Sequence, residues 1–150
     1  MRGTRPETGT DWPGWIPQVT FGSIVGGCYS GRWPHIHVEV YPSVDLITDS
    51  ANAISTSQLA FPEEMLGAVY ALPAYTGSAQ NLAGVSLATD NVFGDDGGAL
   101  QIATVTGDSS AGFTAMLTAR VDTSTAPTGG SMGGGAEGAL QGGQAGGRSQ

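Results

Sequence analysis

Tyr29, Arg32, His35 and His37 place a phenol, a guanidinium and both imidazoles of a 150-residue chain within nine positions. From His35 to Tyr41 the residue types alternate. An extended segment therefore sets His35, His37 and Glu39 on one face and Ile36, Val38 and Val40 on the other, one face suited to burial and the other to holding an ion. Imidazoles at i and i+2 point the same way about 7 Å apart at the backbone, close enough to converge on one metal ion. A phenolate from Tyr29 is a hard, anionic ligand that suits a trivalent ion. Arg32 adds a permanent positive charge for an anionic substrate beside it. The histidine pair followed by Glu39 also matches a two-histidine, one-carboxylate set for zinc or ferrous iron. Cys28, next to Tyr29, reads as a small residue packing in a tight loop, since a thiolate prefers softer ions.

These residues need a strand, a loop feeding it and a partner strand. Gln18 to Ile24 alternates, with Val19 and Phe21 on one face, and is expected to be a strand ended by Gly26 and Gly27. After the histidine strand, residues 42 to 55 form a polar connection whose Asp45 and Asp49 read as solvated. Thr56 to Phe61 is a second short strand. Pro62 followed by Glu63 and Glu64 predicts one short helix running to about Tyr70, with Pro73 as its stop. Leu100 to Thr106 and Phe113 to Val121 alternate about a Gly-Asp-Ser-Ser turn and predict a closing antiparallel hairpin, with Phe113, Ala115, Leu117, Ala119 and Val121 as its buried face. Residues 1 to 17, with three prolines and three glycines, are expected to be a loop docking through Trp12 and Trp15. From Thr123 onward glycine dominates and aromatic residues are absent, which predicts a disordered tail over 123–150 beside one domain over 1–122.

Composition narrows the partners. Five basic against 13 acidic residues give a formal charge of −8 and a pI near 4.3, which repels phosphate backbones and anionic lipid, so neither nucleic acid nor a membrane surface is an expected partner. No apolar run approaches the roughly 20 residues of a membrane span, and the opening residues do not read as a signal peptide. A single cysteine excludes an internal disulfide and leaves the compartment open.

The segment VTFGSIVGGCYSGRWPHIHVEV, residues 19 to 40, resembles the core segment of the intradiol ring-cleavage dioxygenases, the catechol and protocatechuate type, which reads approximately VxFxTIxPGxYxGRxxHIHVxV. TSQLAFPEE, residues 56 to 64, is similar to that family's TSQLYFP segment, Met1-Arg2-Gly3 with Thr10-Asp11 weakly echoes RGxQxTDxxG, and Asp90 to Phe93 resembles a short DxIF-like element. The resemblance spans about residues 1 to 93, and its specific part is residues 19 to 64.

What the resemblance implies is specific. The fold would be all-β, a β-sandwich. The cofactor would be Fe(III), with Tyr29 matching a displaceable axial tyrosinate, His35 an equatorial histidine and His37 an axial one. Arg32 would steady the electron-rich ring, and Gln58 would lie in the active site, hydrogen-bonding Arg32 or substrate oxygens. The substrates would be a catechol-type diol and O2, the product a muconate-type diacid. The family's other ligand tyrosine lies upstream in a WHCDAxGxYSG-like segment that has no counterpart in these 150 residues, and Tyr41, Tyr70 and Tyr75 do not match its context. The chain is therefore expected to correspond to a C-terminal portion of such an enzyme, its sandwich completed by another chain. Two other readings stand beside this one: a relative that binds metal without catalysis, through His35, His37 and Glu39, and an interaction module with a degenerate site. An HxHxE strand also suits a cupin-like or hydrolase site, but those need further ligands and no histidine is left to provide them.

Overall fold

The computed structural model describes residues 18–127. The expected docking loop of Trp12 and Trp15 lies outside the described residues, as does the glycine-rich tail beyond Pro127. In order, the elements are β1 (His35–Val40), β2 (Ser55–Ala60), α1 (Glu63–Tyr70), α2 (Ser78–Leu82), β3 (Thr104–Asp108) and β4 (Gly112–Met116), with four short 3-10 turns between them.

Two two-stranded antiparallel sheets result, β1 with β2 and β3 with β4. The protein is thus a small β-rich fold, as expected in outline. The expectation of one short helix is corrected to two. The β1–β2 register pairs His35 with Ala60, His37 with Gln58 and Glu39 with Thr56. Cross-strand partners share a face, so the histidines, Glu39 and Gln58 lie on one side of the sheet. Beyond β2, a parallel bridge joins Ala60 to Ile102, and the Ala60 amide and carbonyl bond Gln101 and Ala103.

The face that buries is the opposite of the one expected. Gln58 and Ala60 are buried on the histidine side, where His35 meets Phe93 edge-on at 6.0 Å between ring centres. Ile36, on the other side, remains 36% exposed, and Val38 and Val40 are only half-buried. Aliphatic residues of β1 alternate correctly, but α1 and the Phe93 segment supply the apolar cover on the polar face, and that decides burial.

Helix α1 begins where Pro62 takes extended geometry at its N-terminal cap, and Glu63 and Glu64 occupy its positive first turn. Its Met65, Leu66, Val69 and Tyr70 are buried against Trp33, Phe61 and Phe93. The helix closes at Tyr70, before Pro73, which instead opens a 3-10 turn. In the β3–β4 hairpin, Asp108 closes the turn by accepting from the amides of Ser110 at 2.7 Å and Ala111 at 2.8 Å. Gly107, at φ +100°, lies against the Gly112 carbonyl, so a side chain there would meet backbone.

One strand expectation fails, and the expected antiparallel hairpin forms with shorter strands. Residues 18 to 24 form no strand: Val19, Phe21 and Ile24 are exposed, Ile24 by 85%, and among the described residues no neighbouring strand extends a ladder along them. The hairpin is shorter than its alternation, β4 ending at Met116. Phe113, Leu117 and Val121 are half-buried, whereas Ala115 and Ala119 are exposed. Alternation specifies a strand only where a neighbour supplies hydrogen bonds and a cover.

The core residues set a stability contrast. Phe93→Ala removes a fully buried ring and is expected to cost about 3–5 kcal/mol in urea unfolding, against less than about 0.5 kcal/mol for Ile24→Ala.

Candidate functional site

The loop from Val25 to Pro34 reaches the site after crossing α1 and α2, and it is tied down there. Tyr70 donates to the Gly26 carbonyl at 2.9 Å and Tyr75 to the Val25 carbonyl at 2.8 Å. Ser78 accepts from the Cys28 amide at 3.2 Å, and Asn81 donates to the Cys28 carbonyl at 2.8 Å. Side chains of the helical region thus fix what the glycines leave free. Cys28 is buried, and burial pushes its thiol up, in keeping with the packing role read from sequence.

Downstream, Asp90 is the centre of the site. One carboxylate oxygen accepts from Arg32 Nε at 3.0 Å and from the Trp33 amide at 2.7 Å, and the other from the amides of Val92 at 2.8 Å and Phe93 at 3.2 Å. Burial pushes this carboxyl up. The Arg32 hydrogen bond and the amides of Trp33, Val92 and Phe93 together outweigh burial and hold it below its ordinary value of 3.8. Arg32 Nη2 then donates to Gln58 Oε1 at 2.7 Å, with Gln58 only 1% exposed. The guanidinium is thus clamped along two edges, as its planar fork allows.

His35 is fixed through Trp33. The buried indole donates to the Phe61 carbonyl at 2.9 Å, and the Trp33 carbonyl takes a hydrogen bond from His35 Nδ1 at 2.5 Å. With the proton held on Nδ1, Nε2 carries the lone pair, the usual way a backbone carbonyl orients a metal-binding histidine. His37 is placed differently. Its Nε2 meets Glu39 Oε1 at 3.1 Å, and the Tyr41 hydroxyl donates to the other oxygen of Glu39. Hydrogen bonds from Tyr41 and His37 hold the Glu39 carboxyl below its usual range, and Glu39 in turn raises Tyr41.

Tyr29, Arg32, Trp33, His35 and Phe61 line one cleft of about 180 Å³. Tyr29 is 60% exposed. Of the residues singled out in the sequence, Tyr29, Arg32 and His35 come together at this cleft, with Gln58 behind Arg32, whereas His37 faces along β1 toward Glu39. The remaining tyrosines are committed elsewhere. Tyr70, which burial pushes up to about 12, and Tyr75 tether the loop, and Tyr41 serves Glu39. Tyr29 is accordingly the tyrosine available to an ion at this cleft.

The donor set fits a hard ion in part. The Tyr29 phenol and His35 Nε2 share the cleft, and His37 joins them only by releasing Glu39. Among the described residues no three His, Cys, Asp or Glu side chains gather as a ligand group, so His35, His37 and Glu39 are not assembled as a two-histidine, one-carboxylate set. Sequence reasoning missed Asp90 and Trp33. Asp90 was visible only as part of a short motif, and Trp33 acts largely through its backbone, which no residue type announces. No family model, curated protein or solved structure matches the chain.

The pH dependence of the clamp follows from its sign. Because folding lowers the Asp90 pKa, its contribution is complete above the unfolded value near 3.8 and is lost as pH falls through the lower folded value. Asp90→Asn is expected to lose roughly 2–4 kcal/mol at pH 7. In urea unfolding against pH, the gap between wild type and variant should shrink below pH 3.8; a gap independent of pH would contradict the assignment.

Proposed function

We propose that this protein is a non-haem Fe(III) intradiol dioxygenase-like enzyme that opens catechol-type diols with O2 between the two hydroxylated carbons, giving muconate-type diacids. The observation that carries the reading is the convergence of Tyr29, Arg32 and His35 on one cleft, in the order and spacing that resemble that family's core segment.

When bound, a ferric ion supplies the Lewis acidity and one-electron chemistry that make an electron-rich diol reactive toward O2. The chain's own residues do the rest. Tyr29 would hold the ion through its phenolic oxygen, and the same oxygen is placed to take a diol proton. His35 presents Nε2 in an orientation set by the Trp33 carbonyl, and His37 adds a second imidazole after leaving Glu39. Arg32, held by Asp90 and Gln58, directs its remaining N–H donors to the ring oxygens. Trp33 and Phe61 exclude water from one side of the ring. The fold we assign to this activity is a β-sandwich, in which a further layer, from another chain, covers the open Ile36–Val38–Val40 side.

An absorption spectrum of the iron-loaded chain, before and after catechol under air, tests the reading. A visible tyrosinate charge-transfer band that shifts with catechol and gives way to muconate absorption is expected, and Tyr29→Phe should abolish the band. A colourless protein that binds iron would favour the non-catalytic metal-binding reading, and one that binds no iron the interaction module. Arg32→Lys keeps the charge but loses the double clamp, and is expected to lower kcat/KM by about tenfold to a hundredfold with the iron band retained.

A further inference from the structure

On the histidine face of the β1–β2 sheet, Thr56 Oγ1 is buried and meets no hydrogen-bond partner among the described residues. A buried hydroxyl left in this way is costly and rare in native chains. Its cross-strand partner is Glu39, and ladder geometry brings the two close. Ala60 gives its amide and carbonyl to Gln101 and Ala103, so His35–Ala60 is a pair without hydrogen bonds between its members. Alternation along the ladder makes His37–Gln58 and Glu39–Thr56 pairs of the same kind. The hydrogen bond from the Phe61 amide to the Pro34 carbonyl, one position out of phase, agrees. In such pairs the side chains stand closest, their Cβ atoms about 4.5–5.5 Å apart, a gap that a glutamate side chain can cross.

Glu39 is turned along the strand instead. One of its oxygens meets His37 Nε2 at 3.1 Å, and the other accepts from the Tyr41 hydroxyl. The Glu39 side chain is 25% exposed and that of His37 46%, so both can change rotamer without displacing a buried group. The carboxylate therefore has two seats, the one it occupies on His37 and one across the ladder on Thr56. We propose that Glu39 is a two-position latch on His37: it holds the imidazole away from the cleft in the metal-free chain and, when an ion recruits that imidazole, crosses to the Thr56 hydroxyl. Glu39 and Thr56 are then positioning residues that set how readily His37 joins Tyr29 and His35. This inference rests on the reading of His35 and His37 as ion ligands and not on ring cleavage.

Equilibrium dialysis of the metal-free, full-length chain against Fe(III) citrate, with urea unfolding of the metal-free chain alongside, tests the latch by the sign of its effects. Removing a carboxylate beside a cation site ordinarily weakens binding of the cation. Glu39→Gln keeps the shape but loosens the hold on His37, and is expected instead to tighten binding about tenfold. Thr56→Val removes the orphaned hydroxyl and closes the second seat, so the metal-free chain should be no less stable while ion binding weakens about threefold to tenfold. In the double variant the Thr56→Val effect on binding should vanish, because no carboxylate remains for the hydroxyl to receive. Weaker or unchanged binding in Glu39→Gln, unchanged binding in Thr56→Val, or independent effects in the double variant would each overturn the latch. Absence of ion binding in both the wild type and Glu39→Gln would overturn it together with the metal-site reading. Latch behaviour without catechol cleavage would sink the dioxygenase reading and leave this inference standing.

Discussion

The buried carboxylate of Asp90 is the constraint on which the site depends. Removing a carboxylate from water is costly, and it is tolerated here because four donors meet it: Arg32 Nε and the amides of Trp33, Val92 and Phe93. Those donors come from two stretches almost 60 residues apart in sequence. The same carboxylate therefore joins the loop before β1 to the turn that carries Phe93. Phe93 is fully buried and touches the His35 ring, so core packing and site geometry share one anchor. A hydrophobic contact alone would bring these segments together without fixing their register; charge-assisted hydrogen bonds add the direction that packing lacks.

Neutral hydrogen bonds complete the job on the other side of the loop. Val25 to Cys28 is glycine-rich and gains little from its own side chains, so its ordering entropy has to be offset from outside. Tyr70, Tyr75, Ser78 and Asn81 do this from α1, α2 and the turn between them. The helical region thus has a second role beside covering the core: it sets the approach of Tyr29 to the cleft. Tyr70 and Tyr75 are structural for this reason.

Strands β1 and β2 and helix α1 were legible in the sequence because their signals are local. The HxH alternation gives β1, the proline followed by two glutamates gives α1, and the spacing from Tyr29 to His35 puts their side chains on one cleft. What was illegible is non-local. Residues 18 to 24 alternate as well as β1 does, yet a strand needs a neighbour, and among the described residues none extends along them. The choice of which β1 face is covered likewise depends on where α1 and Phe93 pack, and nothing within residues 35 to 40 encodes that. Asp90 escaped notice because a carboxylate in an acidic chain gives no sign of being buried; only its distance to Arg32 does. Trp33 acts through its carbonyl, a group every residue has.

The two histidines show how far the site is preorganised. His35 is held by a backbone carbonyl, which has no competing charge state and keeps one ring nitrogen open whatever enters the cleft. His37 is held by a carboxylate, which competes directly with any ion for the same nitrogen. An ion that recruits both must therefore offset the loss of the His37–Glu39 contact as well as the hydration it sheds. That arrangement leaves Tyr29, Arg32 and His35 as the prepared part of the site and His37 as the part that adjusts. It also separates the roles of β1: its first residue belongs to the cleft and the core, and its middle belongs to a hydrogen-bonded row along the strand that includes Glu39 and Tyr41. Period two alone makes His35 and His37 equivalent, and their different partners are what make them chemically distinct.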